Sequence, residues 1–70
     1  MTQLVPVNSS LLALVAYSTP ATLDLTFQTG AVYRYFGVPR FVFDQLIAAP
    51  SKGAYFNRTI RNRFPYRRLA

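Results

Sequence analysis

The sequence predicts an α+β fold: a small three-stranded antiparallel β-meander followed by two α-helices packed on one face. Three observations lead there. Apolar residues alternate over residues 22–28 and 31–36 on either side of a glycine-containing turn, apolar residues recur at three- and four-residue spacing after Pro39, and Pro50-Ser51 separates that stretch from a second helical one. At 70 residues the chain is read as one domain, 1–70.

Taken in order, residues 1–10 read as a lead-in, with Pro6 fixing an edge before the polar Asn8-Ser9-Ser10. Residues 11–17 are a strand whose continuous apolarity leaves its inward face open. Ser18-Thr19-Pro20-Ala21 is a turn, with Pro20 presetting φ. The hairpin that follows is the best-determined part. A two-residue Thr29-Gly30 turn of type I′ would force β-branched Thr29 to positive φ, and type II′ wants glycine first. A three-residue loop, Gln28-Thr29-Gly30, with Gly30 left-handed in a G1 bulge, satisfies both constraints. That loop pairs Phe27 with Ala31, Leu25 with Tyr33, Asp24 with Arg34 and Leu23 with Tyr35. Leu23, Leu25, Phe27, Tyr33 and Tyr35 then share one face, and Thr22, Asp24, Thr26, Val32, Arg34 and Phe36 the other.

Gly37-Val38-Pro39 ends the sheet, and Pro39 suits the first position of a helix carrying Val42, Phe43, Leu46, Ile47 and Ala49. Pro50 stops it. Ser51 caps a second helix from Lys52 to about Asn62, whose apolar stripe is Gly53, Phe56, Ile60 and Phe64. The tail 65–70 is read as too short for an element of its own.

Charge asymmetry is the strongest compositional signal. Eight Lys/Arg face two acidic residues, and Lys52, Arg58, Arg61, Arg63, Arg67 and Arg68 all follow residue 50, where no acid balances them. Such a distribution predicts an anionic partner. With no Cys or His, and Asp as its whole acidic complement, the chain lacks the usual nucleophile–base pairs and clustered metal ligands, so the sequence predicts no enzyme, no metal and no cofactor. The longest apolar run falls far short of a membrane span, and no basic leader opens the sequence, so no membrane insertion is expected and the reading is cytoplasmic. A chain this short buries only about 60% of its unfolded surface, which makes a homo-oligomer an expectation too.

Two stretches could hold phosphate. Ser51, Lys52 and Gly53 open the second helix, where free N–H groups, a hydroxyl and a full charge come together. Arg58 and Arg61 share a helix side, with Arg67 and Arg68 nearby and Tyr55 and Tyr66 interleaved, a pairing of cations and aromatics that suits single-stranded bases. Tyr33, Arg34 and Tyr35 form a third candidate. There the tyrosines read as core aromatics with hydroxyls at the rim, and Arg34 is the group turned outward.

The order Ser9-Ser10, Tyr17, Leu25-x-Phe27, Gly30, Tyr33-x-Tyr35, Val38-Pro39, Ser51-Lys52-Gly53, Phe56-Asn57, Ile60-Arg61 and Arg68 resembles the KTSC domain. That family is named for its place at the C-terminus of some lysyl-tRNA synthetases, and it also occurs as short free-standing bacterial and phage-like proteins. The resemblance covers nearly the whole chain, departing at Ala16 and Ser18, where the family tends to carry Gly and Asp. It brings no catalytic residues, implies RNA binding by association with a tRNA enzyme, and adds Asn57 to Ser51, Lys52, Gly53 and Arg61 as a functional patch. The leading expectation is therefore a non-catalytic module that binds RNA through the second helix and tail. The alternatives are a homo-oligomeric binder or sequesterer of a small phosphorylated nucleotide, and a protein–protein interaction module.

Overall fold

The computed structural model describes residues 2–70. Its elements are β1 (Thr2–Pro6), β2 (Leu12–Ser18), β3 (Thr22–Phe27), β4 (Val32–Phe36), α1 (Arg40–Ala48), α2 (Lys52–Tyr55), a π-helical turn (Phe56–Ile60) that continues α2, and β5 (Tyr66–Arg68). All five strands form one antiparallel sheet in the order β1-β2-β3-β4-β5. The helices are inserted between β4 and β5 and cover one face of the sheet.

The β3–β4 register is the one the turn chemistry predicts. Leu25 stands opposite Tyr33, Asp24 opposite Arg34 and Leu23 opposite Tyr35. Gly30 has φ +93° and donates to Phe27 O at 2.9 Å, while Phe27 N donates to Ala31 O at 2.8 Å. On the outer face Asp24 and Arg34 form a two-pronged pair, Nε to Oδ1 at 2.9 Å and Nη2 to Oδ2 at 3.0 Å. The hydrogen bond to Asp24, and then its charge, hold the Arg34 guanidinium's proton even more firmly than usual.

The strand count differs from the three-stranded expectation. Residues 2–6 are not a lead-in but an edge strand, with Val5 opposite Val15, and the tail supplies a second edge strand, with Tyr66 opposite Tyr35. Both escape a reading of apolar alternation because an edge strand is held mainly by the backbone bonds of its one neighbour. Every side chain of β5 is exposed, and Pro6 is tolerated because it ends an outer strand. The second helix also departs from expectation. It leaves α geometry at Phe56, and Arg61 N donates to Phe56 O five residues back, at 3.0 Å. Pro39 precedes the first helix as its cap rather than opening it.

The ambiguous face of β2 has a physical cause. A bulge lies between Leu12 and Leu14, so Leu12 and Val15 both point into the core although they are three positions apart, a spacing that regular alternation would send to opposite faces. Leu12, Val15, Tyr17, Leu23, Leu25 and Tyr35 from the sheet pack against Val42, Phe43 and Leu46 of α1 and Tyr55, Phe56 and Ile60 of the second helix. Gly53 lies against Leu11, and a Cβ there would meet the Leu11 Cβ at 3.4 Å, an ordinary contact, so the packing does not itself require glycine. Tyr17 ties sheet to helix: its ring stacks on Phe43 at 5.3 Å and its buried hydroxyl donates to Val38 O at 2.7 Å.

Two substitutions probe these features. Gly30→Ala, which forces a side chain into the left-handed region, lowers stability by roughly 1–2 kcal/mol, and Gly30→Asn by less. Tyr17→Phe orphans a buried carbonyl and costs roughly 1–3 kcal/mol. Urea denaturation measures both. An unchanged midpoint for Gly30→Ala would mean that the turn does not set the register, and one for Tyr17→Phe that the hydroxyl does not tie sheet to helix.

Candidate functional site

The alternation of β4 and β5 decides which side chains meet. Tyr33 and Tyr35 of β4 face the helices, and their cross-strand partners Arg68 and Tyr66 face the same way. The π turn lies across from them. Together they enclose a cleft of about 710 Å³, lined by Phe27, Tyr33, Tyr35, Phe56 and Tyr66, with Asn57, Arg61, Asn62 and Arg68 at its polar rim.

Aromatic contacts build the wall. Tyr66 lies 5.6 Å from Tyr33 and 5.5 Å from Tyr35, centroid to centroid, and Phe56 meets Tyr35 and Phe27 edge-on at 5.9 and 5.4 Å. The Arg68 guanidinium sits over the Tyr33 ring at 5.8 Å, and its Nε donates to Ala70 O at 2.9 Å. Tyr66 is 57% exposed and so offers a ring face to solvent, whereas Tyr35 is only 3% exposed and forms the floor.

The five tyrosines fall into two groups. Tyr17 bonds to Val38 O, and Tyr55, which the sequence places among the rim contacts, is buried with its hydroxyl donating to Gln45 Oε1 at 2.8 Å. That placement removes Tyr55 from any contact surface. Among the described residues, the hydroxyls of Tyr33, Tyr35 and Tyr66 have no hydrogen-bond partner, nor do the side chains of Asn57, Arg61 and Asn62. The cleft therefore gathers aromatic surface and uncommitted polar groups in one place.

The remaining cations do not join it. Arg67, between Tyr66 and Arg68, points to the opposite sheet face beside Arg34. Arg58 is exposed and outside the cleft lining. Lys52 bends back so that Nζ donates to Ala49 O at 3.0 Å, and Ser51 Oγ accepts from Ala54 N at 3.3 Å. Ser51, Lys52 and Gly53 border a separate hollow of about 200 Å³ with Asn8, Ser9 and Ser10. Lys52, the Arg61–Arg68 pair, Arg67 and Arg58 thus lie in separate places, because strand alternation and the helix turn separate residues that are neighbours in sequence.

Both carboxylates are engaged elsewhere, Asp24 with Arg34 and Asp44 with Arg40 at 3.2 Å. Among the described residues no group of three or more potential metal ligands converges, and no helix is long and apolar enough to cross a membrane. Sequence reasoning did not select Asn62 or Phe56 as site residues, and the π turn that presents Asn57, Arg61 and Asn62 together has no sequence signal of its own.

Burial raises the Tyr35 hydroxyl's pKa above its ordinary value, neighbouring Tyr66 and Tyr33 add to the rise, and Arg61 opposes it. Tyr35's contribution to stability is therefore intact below about pH 10 and is lost as pH climbs through its raised value. Urea denaturation above pH 10 should show a shallower loss for Tyr35→Phe than for the parent chain. Arg61→Ala should move the Tyr35 phenolate titration, followed by ultraviolet absorbance, further upward.

The KTSC domain profile matches residues 8–64. Over its full length the chain superposes on the crystal structure of a KTSC domain protein from Yersinia pestis with a TM-score of 0.93 and 30% identity, each chain covered completely. A protein of Tsukamurella paurometabola is 44% identical over 61 residues, 84% of this chain and 90% of that protein. The lysine–tRNA ligase of Trichormus variabilis is 47% identical over 53 residues, 76% of this chain, and that of Nostoc sp. is 46% identical over 52 residues, 74% of this chain. In each ligase the match spans 9% of the enzyme's length. A profile match over most of the chain and a full-length structural match agree, and the chain belongs to the KTSC domain family.

Proposed function

We propose that this chain is a non-catalytic module that binds single-stranded RNA, with a base lodged against Tyr66, Tyr33 and Tyr35 and phosphates on Arg61 and Arg68. One observation carries the reading: a ready-formed aromatic cleft, flanked by two guanidinium groups, in which the hydroxyls of Tyr33, Tyr35 and Tyr66 and the side chains of Asn57, Arg61 and Asn62 lack hydrogen-bond partners among the described residues. Aromatic platforms accept any base through its π face, and arginine forks onto phosphate oxygens. The net charge of +6 favours a polyanion. Similarity to a segment of lysine–tRNA ligases, enzymes named for a tRNA substrate, supports RNA over other polyanions. The non-catalytic part rests on the engagement of both carboxylates by arginines away from the cleft.

Size favours a second reading. A cleft of about 710 Å³ lies within the roughly 300–1,000 Å³ range of small-molecule sites, so a single phosphorylated nucleotide would also fit.

Fluorescence anisotropy with labelled single-stranded RNA over a salt series separates these readings. Changing both Arg61 and Arg68 to Ala should lower the log–log salt slope by roughly 1.4, two contacts at about 0.7 each. Tyr66→Ala should weaken binding by about 1–3 kcal/mol. Lys52→Ala and Arg67→Ala, which lie outside the cleft, should leave the slope unchanged. Equal losses from all four cations would mean diffuse attraction rather than a site. Thermal stabilisation by a mononucleotide with no gain from longer RNA would favour the second reading.

A further inference from the structure

We infer that the free edge of β5 takes up an extended acidic segment of another protein as a further antiparallel strand, with a carboxylate of that segment opposite Arg67. The proposal goes beyond the RNA reading and uses groups that the cleft leaves idle. Phe36 N donates to Pro65 O and Leu69 N to Val32 O, so Arg67, midway between, turns its own N–H and C=O towards Arg34. The N–H and C=O groups of Tyr66 and Arg68 therefore point away from β4, and among the described residues they have no partner. Every residue of the strand is exposed. The other edge of the sheet is blunted. Val7 N donates to Ala13 O, which turns the backbone groups of Leu4 and Pro6 outward, and Pro6 has no N–H to give.

Charge decides what that edge accepts. Along one row of the outer sheet face Asp24 stands opposite Arg34, and Arg34 opposite Arg67. Asp24 is held by Arg34, so the row ends on a cation whose side chain has no ion pair or hydrogen bond among the described residues. Residues directly opposite share a face, so an acid next in the row attracts Arg67 and another cation there is repelled. A second copy pairing β5 with β5 about its centre would set one Arg67 against the other. The net charge of +6 adds to that repulsion. An acidic strand satisfies both the backbone and the row. Its residues on either side of the carboxylate exchange backbone bonds with Tyr66 and Arg68, the mode by which extended peptides add to open sheet edges.

The test is fluorescence anisotropy of the full chain with a labelled peptide, Thr-Val-Glu-Val-Thr, blocked at both ends. Replacing its glutamate with glutamine should weaken binding about two- to fivefold, the range of a cross-strand ion pair. Arg67→Ala should remove the difference between the two peptides, and Arg67→Glu should make a lysine peptide bind better than the glutamate one. N-methylation of both valines, whose N–H groups face Tyr66 and Arg68, should weaken binding about tenfold or more. N-methylation of the glutamate, whose N–H points outward, should change it by less than about twofold. Equal affinity for the glutamate, glutamine and lysine peptides, tolerance of the methylated valines, or an equal loss from Lys52→Ala would overturn the proposal. So would binding of none of the peptides, or a dimer of the chain alone in which the Tyr66 and Arg68 amides are protected from hydrogen exchange, which would give the edge to a second copy. Arg67→Ala should leave the RNA salt slope unchanged, so either proposal can fail without the other.

Discussion

The register of the β3–β4 hairpin is the constraint on which the site depends. It is set at one residue, Gly30, whose left-handed backbone lets a three-residue loop join the strands. Because side chains alternate along a strand, a slip of one position would send Tyr33 and Tyr35 to the open face and drop Arg34 among the core leucines. The Asp24–Arg34 pair marks the correct register from the other side, since only there are the two opposite each other. β5 inherits the same phase from β4, so Tyr66 and Arg68 meet the tyrosines while Arg67 turns away.

The tyrosines divide between those committed to the fold and those left to the cleft. Tyr17 and Tyr55 have satisfied hydroxyls, and Tyr17 joins sheet to helix. Tyr33, Tyr35 and Tyr66 give their rings to the cleft wall and keep their hydroxyls uncommitted. A buried polar group left unpaired is destabilising, but one that borders an open cleft keeps its water until a ligand replaces it. The cleft can therefore carry hydrogen-bonding capacity at little cost to folding.

Much of the fold is legible in the residues. The hairpin register follows from turn chemistry, and Val42, Phe43 and Leu46 fall on the buried side of the first helix as their spacing requires. What depends on nonlocal pairing is not legible. β1 and β5 owe their existence to neighbouring backbones, and three exposed residues at β5 carry no periodic signal. The basic residues mislead for a related reason. Nearness in sequence is not nearness in space, since Arg67 and Arg68 project to opposite faces and Lys52 folds back onto the end of the first helix.

The position of β5 bears on how the site is built. The tyrosines of β4 belong to the continuous meander, but the other wall arrives only after the chain has passed through both helices and returned to the sheet. Phe36 N donating to Pro65 O and Leu69 N donating to Val32 O fix that return at both ends of the short strand. None of the side chains of β5 enters the core, so its role in the fold is carried by backbone bonds and its side chains are free to serve the cleft. The core, from Leu12 to Ile60, is complete before β5 begins. Sequence change at Tyr66 and Arg68 thus alters the lining of the cleft with little effect on the core that holds the domain together.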